Sequence, residues 1–186
     1  LVVEGDKGRL EMLSVGDYGK KVNIQASFLG LERELSPVRH TQLLPLEEKW
    51  VITISTQYGC RHRCKFCDVP KVGGGSNATF DDLFNQVKTG LSLHPEVTKT
   101  DRLNIHFARM GEPTWNPNVL EVAEYINGYY FDSHNVHPVV STMMPARNIW
   151  LRQFLKEWVF IKNEVFNGNA GLQLSINSTN EEERQE

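Results

Sequence analysis

Trp50-Val51-Ile52-Thr53-Ile54-Ser55-Thr56-Gln57-Tyr58-Gly59-Cys60-Arg61-His62-Arg63-Cys64-Lys65-Phe66-Cys67 is the stretch on which the reading of this chain turns. Residues 50–56 are rich in β-branched side chains, as in a strand buried within a parallel sheet. The strand runs directly into a loop holding all three cysteines of the 186-residue chain, spaced C-x3-C-x2-C. An odd number of clustered thiols, with no others to pair with, does not make a disulfide framework. Thiolates do ligate metals, and iron–sulfur clusters mostly take four of them. Three would leave one iron of a 4Fe–4S cluster open to a substrate or cofactor. Three cysteines plus His62 are also a zinc donor set. However, His62 lies between the cysteines, whereas structural zinc sites combine ligand pairs well separated in sequence. Free buried thiols are the plainest alternative, although a basic loop is poor core material.

Downstream of the loop, strand and helix patterns alternate. Gly73-Gly74-Gly75 reads as a bend. It lacks the Lys and Ser/Thr that would make it a phosphate loop. Thr79 is an N-cap with Asp81 and Asp82 in the first turn, and predicts a helix to Leu93 whose apolar face is Phe80, Leu83, Phe84, Val87 and Leu91. Arg102–Ala108 is a second strand, ending at Met110-Gly111-Glu112-Pro113. Asn116-Pro117 opens a helix reaching about Tyr130. Val136–Ser141 is a third strand. Arg147–Phe160 is a helix with Trp150, Phe154, Leu155 and Trp158 on its apolar face. Gly171–Ile176 is a fourth strand, and Thr179-x-x-Glu182 is a capping box starting another helix. This alternation predicts an α/β fold with a parallel sheet. Cys60, Gly111, Glu112, Ser141 and Ser175 fall at or just after strand ends, where such folds place their sites.

Residues 1–48 form a β-rich N-terminal extension with turn signals at Gly5-Asp6 and Gly16-Asp17. Lys21–Leu29 alternates as a strand with one buried face. The division expected is therefore 1–48 and 49–186. No apolar run approaches the length of a membrane span. Leu1-Val2-Val3-Glu4-Gly5-Asp6 does not have the pattern of a signal or transit peptide. Thiols confined to one metal-type motif suit a reducing cytoplasm. A net charge of −3 gives no overall nucleic-acid signal. Locally, Arg61, His62, Arg63, Lys65 and Lys71 surround the cysteines. They would either meet phosphate or offset the charge of thiolates and sulfides.

The motifs resemble those of the radical S-adenosylmethionine (SAM) superfamily, and within it the RlmN/Cfr-type RNA adenine methyltransferases. That branch has Ser-Ser-Gln-x-Gly-Cys leading into its cysteines, similar to Ser55-Thr56-Gln57-Tyr58-Gly59-Cys60 here. Its Arg-Asn-Leu-Thr resembles Ser76-Asn77-Ala78-Thr79. Its Met-Gly-Glu-Pro-x-x-Asn stands intact at Met110–Asn116, and its Ser-Thr-x-x-x-x-Pro, one residue shorter, at Ser141–Pro145. Its Ser-Leu-His-Ala resembles Ser175-Ile176-Asn177-Ser178. Together these cover residues 50–186.

The resemblance implies a partial (β/α) barrel, of which this chain supplies about the first four units. It implies a 4Fe–4S cluster on Cys60, Cys64 and Cys67, with SAM held at the open iron and cleaved by one electron to a 5′-deoxyadenosyl radical. Phe66 would lie near the SAM adenine. Gly111 and Glu112 would bind the methionine amino group, and Ser141, Ser175 and Asn177 the ribose and carboxylate. Implied partners are ribosomal or transfer RNA and an electron donor such as flavodoxin or ferredoxin. One position departs from the pattern. Methylating members carry a catalytic cysteine seven residues before the first cluster cysteine, and here that residue is Thr53. A different radical reaction, without methyl transfer, is the competing implication. A non-enzymatic, metal-stabilised binding module is a third.

Overall fold

The computed structural model describes residues 1–16, 44–130, 132–176, 178 and 180. The expected strand at Lys21–Leu29, the capping box at Thr179 and Asn177 lie outside the described residues.

The β-branched run from Trp50 forms β4 (Trp50–Ile54), the second strand of a five-stranded sheet ordered β3-β4-β7-β8-β9. Its neighbour β3 (Leu13–Gly16) runs antiparallel to it, with Leu13 opposite Thr53. The next three strands, β7 (Thr100–Phe107), β8 (His134–Thr142) and β9 (Gly171–Leu174), are all parallel to β4. The sheet is open, and no barrel forms among the described residues.

Register explains the core. Ile52 pairs with Ile105, which pairs with Pro138, and Ile54 pairs with Phe107, which pairs with Val140. These residues share one face with Trp50 and Leu103, and all but Pro138 belong to the buried core. Three helices cover that face: α1 (Phe80–Ser92), α2 (Asn118–Tyr129) and α3 (Leu151–Phe160). The opposite face carries Val51, Thr53, His106, Val139 and Ser141, which are half-buried. So β4 is not buried on both faces as its composition suggests. Burial alternates because, among the described residues, helices cover one side only.

Two local departures shape the site. The expected strand to Thr56 stops at Ile54, since Ser55 N–H turns away to donate to Gln86 Oε1 (2.8 Å) and Thr56 N–H donates to the Met110 carbonyl (2.7 Å). The chain then enters β5 (Gln57–Gly59), which pairs with β6 (Gly74–Asn77). The glycine run is therefore mostly strand. It is glycine because the backbones nearly touch: a Cβ on Gly75 (φ +82°) would lie 2.3 Å from Arg61 N. This contact pins the start of the cysteine loop.

Thr79 caps α1 as expected. Its hydroxyl accepts from Asp82 N–H (3.2 Å), and Asp82 Oδ2 accepts from Thr79 N–H (2.9 Å). Asp82 also accepts from Tyr58 Oη (2.7 Å) and Asp6 N–H (3.0 Å). This ties the hairpin of β1 (Val2–Gly5) and β2 (Gly8–Glu11) to the helix N-terminus. Burial raises the Asp82 pKa, but those hydrogen bonds outweigh it and hold the carboxyl below its usual range. Burial and the same carboxylate push the Tyr58 phenol up to about 12.

The third helix begins at Leu151, not Arg147, because Asn148 faces inward. Its Nδ2 donates to the Thr114 carbonyl (2.9 Å) and Oγ1 (3.1 Å), and its Oδ1 accepts from Trp150 N–H (3.0 Å). Phe154 and Trp158 are buried, whereas Trp150 is 41% exposed. The helix continues into a short π-helical stretch, Ile161–Val165.

Candidate active site

Every motif residue among the described residues, Thr53 apart, lies at or beyond the carboxyl ends of the parallel strands, the usual site edge of an α/β sheet. Thr53 sits within β4, half-buried, between Leu13 and His106. Cys60 follows β5, and Gly75 of β6 lies against the next residue, Arg61.

The loop beyond it turns sharply. Arg63 has a left-handed backbone (φ +54°), and Cys67 N–H donates to the Cys64 carbonyl (3.1 Å). All three cysteines are free thiols and half-exposed. Burial raises the Cys60 pKa, and the charges of Glu112 and Cys67 add to the rise. Burial, then the charges of Cys60 and Cys67, raise that of Cys64.

Among the described residues, no three His, Cys, Asp or Glu side chains are drawn together tightly enough to hold a metal ion. The donor set nevertheless fits a cluster chemically. It consists of soft thiol ligands on a single loop, and mutual repulsion among their thiolates is what a bound cation relieves.

Glu112 is 3% exposed and joins two strand ends. Its Oε1 accepts from Thr114 N–H (3.2 Å), Thr114 Oγ1 (2.7 Å) and Thr142 Oγ1 (2.6 Å). Among the described residues, its Oε2 accepts one hydrogen bond, from Met143 N–H (3.0 Å). A carboxylate has about four acceptor positions, so Oε2 can still take a cation's N–H. Gly111 has φ +97°, and a Cβ there would lie 2.6 Å from Gln57 Cβ. A plain turn explains neither the buried carboxylate nor its span to β8.

Phe66 is 70% exposed, so core packing does not account for it. Ser141 Oγ donates to Gln173 Oε1 (2.7 Å), and Ser175 N–H donates to the Thr142 carbonyl (2.9 Å). Ser175 is exposed on the wall of a cavity of about 1110 Å³, shared with Arg61, His62, Trp115, Arg147 and Trp150. A smaller cavity, about 570 Å³, opens beside Thr100 and His134, away from every motif residue.

Residues with no role assigned from sequence hold these loops together. Gln57 Oε1 accepts from Glu112 N–H (3.2 Å) and Arg61 N–H (3.4 Å), while its Nε2 donates to Asn77 Oδ1 (2.8 Å). Asn77 Nδ2 donates to the Trp115 carbonyl (2.8 Å). Asn116 Nδ2 donates to the carbonyls of Thr56 (2.8 Å) and Ala78 (2.9 Å). Their presence in the resembling motifs was the available signal, since buried amides with several partners fix loops.

The probable dual-specificity RNA methyltransferase RlmN of Bacteroides thetaiotaomicron is 29% identical over 116 residues, 61% of this chain and 31% of that protein. Its counterpart in Parabacteroides distasonis is 30% identical over 119 residues, 61% of this chain and 32% of that one. The Chlorobaculum tepidum protein is 37% identical over 103 residues, covering 53% and 26%. Over this segment the chain is a relative of RlmN. The resemblance drawn from the motifs is borne out by these relatives, and the RlmN-like segment spans about a third of their length or less. No family model matches the chain. No solved structure matches it either. Among the described residues, no helix is long and apolar enough to cross a membrane.

Proposed function

We propose that this chain forms the SAM-binding part of a radical SAM enzyme related to the RlmN-type RNA adenine methyltransferases. Residues 1–48 are an N-terminal extension and 49–186 the start of the catalytic core. The parallel strands are about the first four units of a partial barrel. The observation that carries the reading is that the three-thiol loop and buried Glu112 both lie at the carboxyl ends of the parallel strands and are tied through Gln57, whose Oε1 accepts from both Glu112 N–H and Arg61 N–H. Cys60, Cys64 and Cys67 would hold a 4Fe–4S cluster. When bound, such a cluster supplies the electron that cleaves SAM to a 5′-deoxyadenosyl radical.

The chain's own residues bind and orient. Glu112 Oε2 receives the methionine ammonium, a charge-assisted hydrogen bond. Gly111, without a side chain, lets the ligand approach the backbone. Ser141, Ser175 and Asn177 hold the ribose and carboxylate, and Phe66 lies against the adenine. An RNA adenine is the substrate, a flavodoxin or ferredoxin the electron donor, and the cytoplasm the compartment. The test is anaerobic reconstitution with iron and sulfide. The protein should turn brown and, once reduced, convert SAM to 5′-deoxyadenosine. A colourless, zinc-bearing protein that leaves SAM intact overturns the reading.

A second reading, radical chemistry without methyl transfer, is favoured by one observation, the threonine at position 53.

Glu112→Gln gives a sharper check. The amide would set its NH2 against one of the donors now held by the carboxylate. A charged hydrogen bond contributes about 1.5–3 kcal/mol. The variant should therefore unfold at lower temperature without SAM and bind SAM about ten- to a hundredfold more weakly, while keeping its iron. Unchanged SAM affinity in calorimetry would leave Glu112 only its role of tying loops.

A further inference from the structure

We propose that the large cavity at the carboxyl ends of the strands is a clamp for a single nucleic-acid strand, with a base stacked on the His62–Trp115 pair and flanking phosphates held by Arg61 and Arg147. The proposal rests on the reading above and assigns residues that the resembling motifs leave unspecified or do not reach.

The His62 and Trp115 rings come from separate loops, yet their centroids are 5.7 Å apart with an interplanar angle of 56°. Both are half-exposed, so each has ring surface left to offer. The platform is held in advance. Trp115 N–H donates to the Glu112 carbonyl (3.1 Å), and the Trp115 carbonyl accepts from Asn77. Across the cavity, the inward-facing Asn148 fixes the backbone between Arg147 and Trp150. The rim there exposes Ile149 completely and Trp150 by 41%, a display of large apolar groups that packing does not explain.

Charge selects the ligand class. Arg61 and Arg147 line the cavity, and no Asp or Glu does among the described residues. Glu112 is 3% exposed and does not line it. The chain as a whole is acidic, at −3, so this concentration of cations is local. SAM is a net cation whose single carboxylate could engage at most one of the two guanidinium groups. A phosphodiester strand gains from both. Cationic grooves with exposed aromatic rings are the general solution for single strands. The volume, about 1110 Å³, exceeds the ~300–1,000 Å³ that enclose a drug-sized ligand, leaving room for more than one nucleoside.

The experiment titrates the full chain with a fluorescein-labelled, adenine-rich single-stranded RNA, following anisotropy across salt concentrations. Trp115→Ala should weaken binding about tenfold, the loss expected for one stacked base. Trp115→Phe should restore most of it, while circular dichroism stays that of the wild type. Arg147→Ala should lower the salt slope by about 0.7, the value for one phosphate contact on a single strand. Wild-type affinity and slope in both alanine variants, or no RNA binding by the parent chain, overturns the clamp. Displacement of the RNA by SAM, with equal loss of SAM affinity in Trp115→Ala, also overturns it and makes the cavity a cofactor pocket. Reductive SAM cleavage by the parent chain, measured separately, tests the underlying reading. Cleavage without any effect of the variants on RNA binding defeats the clamp alone.

Discussion

Cys60→Ala, Cys64→Ala and Cys67→Ala are each expected to remove the iron–sulfur chromophore and end SAM cleavage. The chain has three cysteines in total, all in one loop, so no spare thiol can substitute within it. A cluster with three protein ligands loses an iron's anchor with each deletion. None of the three belongs to the packed core, and all are half-exposed. Removing a partly exposed thiol should change stability by no more than about 0.5 kcal/mol. The expected pattern is therefore folded, colourless protein with little bound iron in all three variants. Iron quantitation and visible absorbance after anaerobic reconstitution provide the check, alongside thermal unfolding. Wild-type iron content in any one variant would exclude that residue from the ligand set. Loss of iron together with collapse of the fold would instead point to a structural metal.

The order of strands and helices was legible because its signals are local. The β-branched run at Trp50, the cap at Thr79 and the apolar spacing of α1 each act within a few residues, and each is seen in the structure. What escaped depends on distant partners. The glycines at 73–75 read as a bend because sequence does not show that β5 lies against them. The start of α3 shifted because Asn148 answers to Thr114, far upstream. The edge strand β3 pairs with β4 across a long intervening segment, which no periodicity reports.

The same division holds at the candidate site. Cys60 and Glu112 stood out by type and spacing. Thr114 and Thr142, which hold the carboxylate, are ordinary threonines until the fold brings them to it. Trp115 occupied an unspecified place within an otherwise matching motif. Its contact with His62 exists only once both loops are in position.

Thr53→Cys is expected to gain RNA methylation only where the second cysteine of the pair is also supplied, because all three cysteines of this chain lie in the cluster loop. The resemblance assigns methyl transfer to a pair of cysteines, one of them seven residues before Cys60, and Thr53 stands there. The stretch from Ile54 to Gly59 fits the resembling pattern without a gap. Thr53 lies within β4, locked in register between Leu13 and His106, and the chain runs on through β5 to Cys60. A threonine hydroxyl does not ionise near neutral pH and forms no disulfide, so it cannot release a methylated product by thiol chemistry. Its β-branched shape suits the strand, and packing is its plainest role. The reduced parent protein should accordingly convert SAM to 5′-deoxyadenosine without repeated methylation of RNA adenine. The measurement uses methyl-labelled SAM, reductant and ribosomal or transfer RNA, with nucleosides analysed after digestion. Multiple turnovers of methyladenine by the parent would show that Thr53 is no block. In Thr53→Cys, the site is half-buried and the thiol close in size to the hydroxyl it replaces, so the strand should hold. Methyladenine formed by that variant alone would place the block at this one side chain. If both proteins make 5′-deoxyadenosine and neither methylates RNA even with the second cysteine supplied, the radical acts on another substrate, and the second reading takes over.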